Sequence, residues 1–166
     1  IAGSRLVLLG ETKKTGIPLL HESHSGAQLV FGTDGSLLVS TGDGASYSLT
    51  DAGSASGTYW SQALTDSIIK QKENVGAFRS QLVDCLAGKI LRINPATGDG
   101  IPSNPFYNAA EPRSAQSRVW CLGLRNPFRM TLRPGTGSPD VNAGNPGVLY
   151  IGHVSGNTFE DLHGMV

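Results

Sequence analysis

The chain has 166 residues, enough for one ordinary domain, and its 13 basic and 13 acidic side chains cancel. That balance gives no electrostatic reason to expect nucleic acid or an anionic membrane as partner, and no apolar run approaches the ~20 residues of a membrane span. Glycine is the outlier, 22 of 166 residues against a usual ~7%, and its aperiodic spread implies many tight turns and therefore many short strands.

In chain order, residues 5–9 (RLVLL) read as a short apolar strand, interrupted beyond by Gly16 and Pro18. Residues 28–31 (QLVF) and 37–41 (LLVST) flank GTDGS. Asp34-Gly35 between two apolar runs is a hairpin signal, because glycine supplies positive φ in a primed turn. Residues 45–82 open with Ser, Thr, Gly and Ala and pass through LTDSIIKQKENV, which can hold a helical turn or two. This stretch reads as a long loop inserted between strands, and loops of that length are usually functional or mobile. Residues 87–93 (AGKILRI) form an alternating strand, followed by the turn cluster NPATGDG and an irregular segment over residues 101–117. Further strands are expected at residues 118–122 (RVWCL), 128–132 (FRMTL), 148–151 (VLYI) and 159–166.

DGSLLVSTGDG and NPGVLYIGHVSG share a pattern of turn glycine, strand and glycine-containing rim. Repeated four-stranded units suggest an all-β chain that is part of a β-propeller, although the strand count alone also allows an antiparallel sandwich. If successive strands are antiparallel neighbours, parity sorts the loops. His24 precedes a descending strand and Asp43 follows its ascending partner, so both lie at one rim, here called the top. The insertion at about 45–82 starts there, GLRNPF turns there with Arg125 and Asn126, and GHVSGN brings His153 and Asn157 to it. Cys85 and Cys121 fall near each other by the same count, placed for a disulfide or as two small buried thiols.

A histidine beside an aspartate is the minimal device for general base catalysis, the carboxylate fixing the tautomer and stabilising the imidazolium that forms. Arginine beside asparagine offers a fixed cation and an amide, suited to carbonyl or carboxylate oxygens. Asp43 before Gly44 is equally an ordinary turn aspartate, and Arg125 equally a structural ion-pair partner. No G-x-S-x-G, phosphate-binding G-x-x-x-x-G-K-[ST] or H-E-x-x-H motif is present, and DVNAGN lacks the spacing of a calcium loop. His21 and His153 have no evident partners and read as solvated.

The stretches HSGAQLVFGTDGSLLVSTGD, LAGKILRINP, NPF at residues 104–106, GLRNPFR and LYIGHVSGNTFEDL together resemble the soluble sugar dehydrogenases that use pyrroloquinoline quinone. This is the glucose/sorbosone dehydrogenase family of six-bladed β-propellers. The resemblance implies quinone-dependent oxidation of an aldose sugar or related alcohol. His24 would be the base, Asp43 its orienting partner, and Arg125 and Asn126 the contacts to the quinone oxygens, Arg125 also polarising the acceptor carbonyl. Ser155 and Gly156 match the loop whose backbone carbonyls hold the cofactor's Ca2+. That loop departs from the family pattern at His153, where an acidic residue is common, and at Ser155, where glycine is common. The family works outside the cytoplasm, so a secreted, extracellular or periplasmic protein is expected. A closed six-bladed ring needs upwards of about 300 residues at four strands a blade. Eight or so strands make about two blades, so residues 1–166 read as a partial propeller domain whose remaining blades are absent, in keeping with a start at Ile1. A propeller of this kind without chemistry would serve as an extracellular binding or adhesion module.

Overall fold

The computed structural model describes residues 3–48, 50–156 and 159–165. Strands β1 (Gly26–Phe31), β2 (Leu37–Thr41), β3 (Lys89–Ile93) and β4 (Val119–Leu122) lie in that spatial order in one sheet. Strands β5 (Pro127–Leu132), β6 (Leu149–His153) and β7 (Asp161–Met165) form a second. Every neighbouring pair is antiparallel. The innermost strands β1 and β5 lie side by side, the arrangement of adjacent propeller blades. The described strands number seven, four in one blade and three in the next. The two similar sequence segments are β2 and β6, the second strand of each sheet, so the weak repeat has a structural counterpart.

β2 and β3 are buried along their whole length because both faces of their sheet are covered. Leu38 and Ile90 meet Leu124 of the β4–β5 connection and Met130, Leu149 and Ile151 of the second blade. Leu37, Val39, Leu91 and Ile93 point the other way, where Leu8, Leu9 and Ile17 cover them. The period of two is intact, but both phases are apolar, hence the near-continuous runs LLV and ILRI. Each such side chain stabilises by ~1.5–3 kcal/mol on burial, so these two layers set how the blades stack.

Residues 5–9 are not a strand. They lie over a sheet face, where Leu8 and Leu9 pack but the backbone has no ladder to join. The hairpin forms, but with a different turn. Gly35 is left-handed at φ 75°, whereas Asp34 is not, so the connection over residues 32–36 is not the primed two-residue kind. It closes with the Gly32 N–H on Ser36 O at 2.9 Å and the Gly35 N–H on Gly32 O at 3.0 Å.

The insertion carries helix α1 (Trp60–Thr65) and two 3-10 turns, Gln71–Glu73 and Gly76–Gln81, around a small core of Leu20, Ala63 and Ile69. It is folded back onto the upper end of the first sheet. Buried Lys89 staples it there, Nζ donating to the carbonyls of Arg79 (3.2 Å), Ser80 (2.8 Å) and Ala87 (2.6 Å). Burial pushes the Lys89 pKa down to about 8, against three oxygens that favour the ammonium form. A second short helix, α2 (Ala115–Arg118), leads into β4 and is capped by the Ser114 side chain. Cys85 and Cys121 flank β3 as free thiols, and burial pushes both pKa values up.

Candidate active site

His24 enters the site on a strained backbone. Its φ is 54°, a left-handed value that non-glycine residues adopt uncommonly and that clusters at functional positions. Two contacts hold it. The His24 carbonyl accepts the Gly44 N–H at 3.1 Å, and Gly42 lies so close that a Cβ there would stand 1.8 Å from the His24 oxygen. Gly42→Ala is therefore expected to lose roughly 1–3 kcal/mol and to displace His24, read as a lower denaturation midpoint together with lost turnover. Gly35→Ala is the control. It is strained in φ but meets nothing within 4 Å, and it should lose about 1 kcal/mol with turnover kept. Unchanged turnover in Gly42→Ala would show that the close approach does not set the His24 geometry.

The His24 ring nitrogen Nδ1 lies 2.9 Å from Asp43 Oδ1, and both side chains are almost fully buried. A carboxylate only accepts, so Nδ1 carries a proton, and in the neutral ring Nε2 holds the lone pair. Among the described residues His153 Nδ1 is the one buried side-chain nitrogen or oxygen without a partner. His24 Nε2 also has no partner among the described residues, and it is not completely enclosed. Asp43 Oδ1 also accepts the Ala45 N–H at 2.9 Å, which fixes the carboxylate plane. The Asp43 carbonyl accepts from Nε (3.3 Å) and Nη2 (3.2 Å) of Arg79, a buried guanidinium from the insertion. The sequence carried no signal for Arg79, because its partner is a backbone oxygen some 36 residues away.

The second blade meets this dyad directly. The Asp43 N–H donates to the Arg125 carbonyl at 2.8 Å, and Asn126 Oδ1 accepts the Gly26 N–H at 3.3 Å. Arg125 is thus on the same rim as His24. Its Nη1 donates to Val154 O at 3.1 Å, while Nε and Nη2, like Asn126 Nδ2, have no partner among the described residues. These are spare donors on the same rim as the spare base.

His153 is not solvated, contrary to the sequence-based expectation. It is buried, and its Nε2 accepts the N–H groups of Arg125 (2.8 Å) and Asn126 (3.2 Å). Burial, and then the neighbouring His163, hold its pKa below the usual histidine value despite Asp161. Strand parity had already put it at this rim. Nor is His21 unpartnered, its Nδ1 lying 2.9 Å from Ser23 Oγ. His153, Asp161 and His163 offer atoms within 4.8 Å of one another. They do not suit a metal ion: with Nε2 taken by two donors, Nδ1 must keep the ring proton and has no lone pair to give.

Ser155 and Gly156 sit at the same rim. Their carbonyls accept no hydrogen bond among the described residues, the Ser155 N–H goes to Glu160 Oε2 at 2.8 Å, and a Cβ on Gly156 would meet nothing within 4 Å. Free carbonyls beside a carboxylate are hard oxygen ligands of the type Ca2+ takes. Asn157, also expected here, lies outside the described residues. A cavity of about 540 Å3 lies elsewhere, between Lys14, Ile68, Glu73, Cys85 and Arg118. Its lining mixes both charges and includes none of the rim residues, so size alone does not make it the site.

Comparison with known proteins agrees with this fold. The chain is similar to the PQQ-bound form of aldose sugar dehydrogenase (Adh) from Streptomyces coelicolor, at 23% identity and a TM-score of 0.55, over 91% of this chain and 30% of that one. The likeness extends to the fold, so the two sheets are part of a β-propeller, and the chain spans about a third of that protein's length. Residues 13–139 match the family model for Glucose / Sorbosone dehydrogenase. With that match over most of its length, the chain belongs to the glucose/sorbosone dehydrogenase family.

Proposed function

We propose that the protein oxidises an aldose or related alcohol with pyrroloquinoline quinone, and that His24 is the general base. One observation carries the reading. Of the two His–Asp contacts at this rim, only His24–Asp43 leaves an acceptor nitrogen of the ring unengaged among the described residues, on the rim where Arg125 and Asn126 keep unpartnered donors. A neutral imidazole with a carboxylate behind Nδ1 is set to take a hydroxyl proton at Nε2. As that proton leaves, the adjacent C–H departs as hydride, and the sugar carbon becomes a carbonyl, a lactone when the substrate is a cyclic aldose. The quinone, when bound, supplies the two-electron acceptor for that hydride.

The remaining roles follow from chemistry on this chain. Arg125 Nε and Nη2 and Asn126 Nδ2 would hold quinone oxygens, and the guanidinium would offset negative charge developing there. Asp43 orients His24 and stabilises its protonated form. The Ser155 and Gly156 carbonyls would hold Ca2+ on the side where Glu160 adds a negative charge. The base and the cation therefore come from different blades, joined by the Asp43–Arg125 backbone bond.

The test is reconstitution of the full-length protein with the quinone and Ca2+, followed by dye reduction with a panel of aldoses. The expected result is turnover that requires all three additions. Absence of any quinone uptake would instead favour a binding module built on the same propeller.

A further inference from the structure

We infer that His153 is a positioning residue for the turn that carries Arg125 and Asn126, holding it through the unprotonated Nε2. The inference rests on reading that turn as part of the quinone site.

Two consecutive peptide N–H groups converge on one ring nitrogen, at 2.8 Å and 3.2 Å. Both can only donate, so Nε2 must be the acceptor and the proton must sit on Nδ1. Nδ1 faces Asp161 Oδ2 at 3.6 Å, across the β6–β7 register that pairs His153 with Asp161. That is beyond hydrogen-bond reach, so the two peptide donors fix the tautomer and the carboxylate adds only its nearby charge. The His163 ring packs against the imidazole, with centroids 5.1 Å apart, and restricts its tilt.

The chain on either side of Nε2 is already tied to the same turn. The Val154 N–H donates to Asn126 O at 3.0 Å, and Arg125 Nη1 donates to Val154 O. The turn in turn receives the Asp43 N–H on Arg125 O and the Gly26 N–H on Asn126 Oδ1. His153 thus stands behind both the guanidinium and the loop that presents the Asp43 carboxylate. It touches neither substrate nor cofactor, and acts only through the backbone it holds.

The test compares His153→Gln, His153→Asn and His153→Leu in the full-length protein. Glutamine reaches as far as Nε2 and offers an oxygen to both N–H groups, asparagine is a bond too short, and leucine has no acceptor. Amide hydrogen exchange at Arg125 and Asn126 is read by NMR, with the Met130 and Ile151 amides as the folding control. Quinone affinity is measured in parallel. His153→Gln should keep both readouts near wild type, whereas His153→Asn and His153→Leu should speed exchange at the two turn amides by about tenfold or more and weaken quinone binding to a similar degree. Wild-type exchange at both amides in His153→Leu would overturn the proposal. Were the leucine variant not to fold, a 15N spectrum of the wild-type ring decides, since a proton on Nε2 also overturns it. Faster turn exchange with unchanged quinone affinity would support the His153 role and remove the turn from the cofactor site.

Discussion

His24→Ala is expected to lower aldose turnover by about 10²–10⁴-fold, the usual worth of a positioned general base, with quinone uptake retained. Retention follows from the layout, because the spare donors belong to Arg125 and Asn126 and, among the described residues, the His24 side chain bonds to Asp43 alone. Asp43→Asn separates charge from geometry. Asp43 Oδ1 takes both the His24 Nδ1 proton and the Ala45 N–H, so an asparagine oxygen in that place keeps the tautomer and the ring position. What it removes is the negative charge facing the imidazolium. Turnover should fall in Asp43→Asn, by less than in His24→Ala, and the gap between them measures how much of the dyad's work is orientation. Full turnover in His24→Ala would take the base away from His24 and with it the mechanism proposed here.

Much of this arrangement was legible from strand parity. Placing Asp34-Gly35 at a reversal made His24 and Asp43 neighbours, and two further reversals brought Arg125 to the same rim. Parity works because sheet order is fixed by short antiparallel connections, and a loop's rim does not depend on its conformation. The local shape of the turns was less legible. Asp34-Gly35 signalled a reversal but not its type, which the Asp34 carboxylate decides by accepting from the Ser36 N–H and hydroxyl. Residues 5–9 gave a strand-like pattern because covering a sheet face selects the same apolar side chains as pairing at its edge.

Contacts between side chains and distant backbone were not legible at all. Arg79 meets Asp43 O, Lys89 meets three carbonyls, and His153 meets two peptide N–H groups. A carbonyl or N–H belongs to every residue, so no residue type in the sequence marks the partner. Gln28 is a further case. Its amide donates to Met130 O at 2.7 Å and accepts the Met130 N–H at 2.6 Å, so one side chain on β1 pairs with β5 as a strand would. The blades are thereby joined at the top by backbone bonds between loops and midway by this amide.

The lower rim is closed by charge, and there the largest loss of stability is expected. The Arg92 and Asp34 side chains are buried, with Nη2 at 2.6 Å and Nε at 3.2 Å from Asp34 Oδ2. The guanidinium also reaches Ser103 Oγ, Asn104 Oδ1 and Val141 O, and lies 5.0 Å from the centre of the Trp120 ring. One side chain on β3 thus joins the β1–β2 turn, the β3–β4 connection and the loop between β5 and β6. Removing either partner leaves the other charge buried alone, which costs about 3–5 kcal/mol. Asp34→Ala and Arg92→Met should each show that loss in denaturant titration. The double variant should lose less than the two together, because no unpaired charge remains. Strictly additive losses would mean that the pair is not coupled. The pH dependence has a definite sign. Burial alone would raise the Asp34 pKa, but hydrogen bonds from Ser36 and Arg92, with the Arg92 charge, leave it below the ordinary 3.8. The folded protein therefore releases this proton more readily than the unfolded chain. The contribution is fully present above about pH 3.8 and disappears as pH falls through the lower, folded value. Relative to Asp34→Ala, the wild-type protein should lose its advantage only in that acid window, with the gap between the two stability curves constant at higher pH.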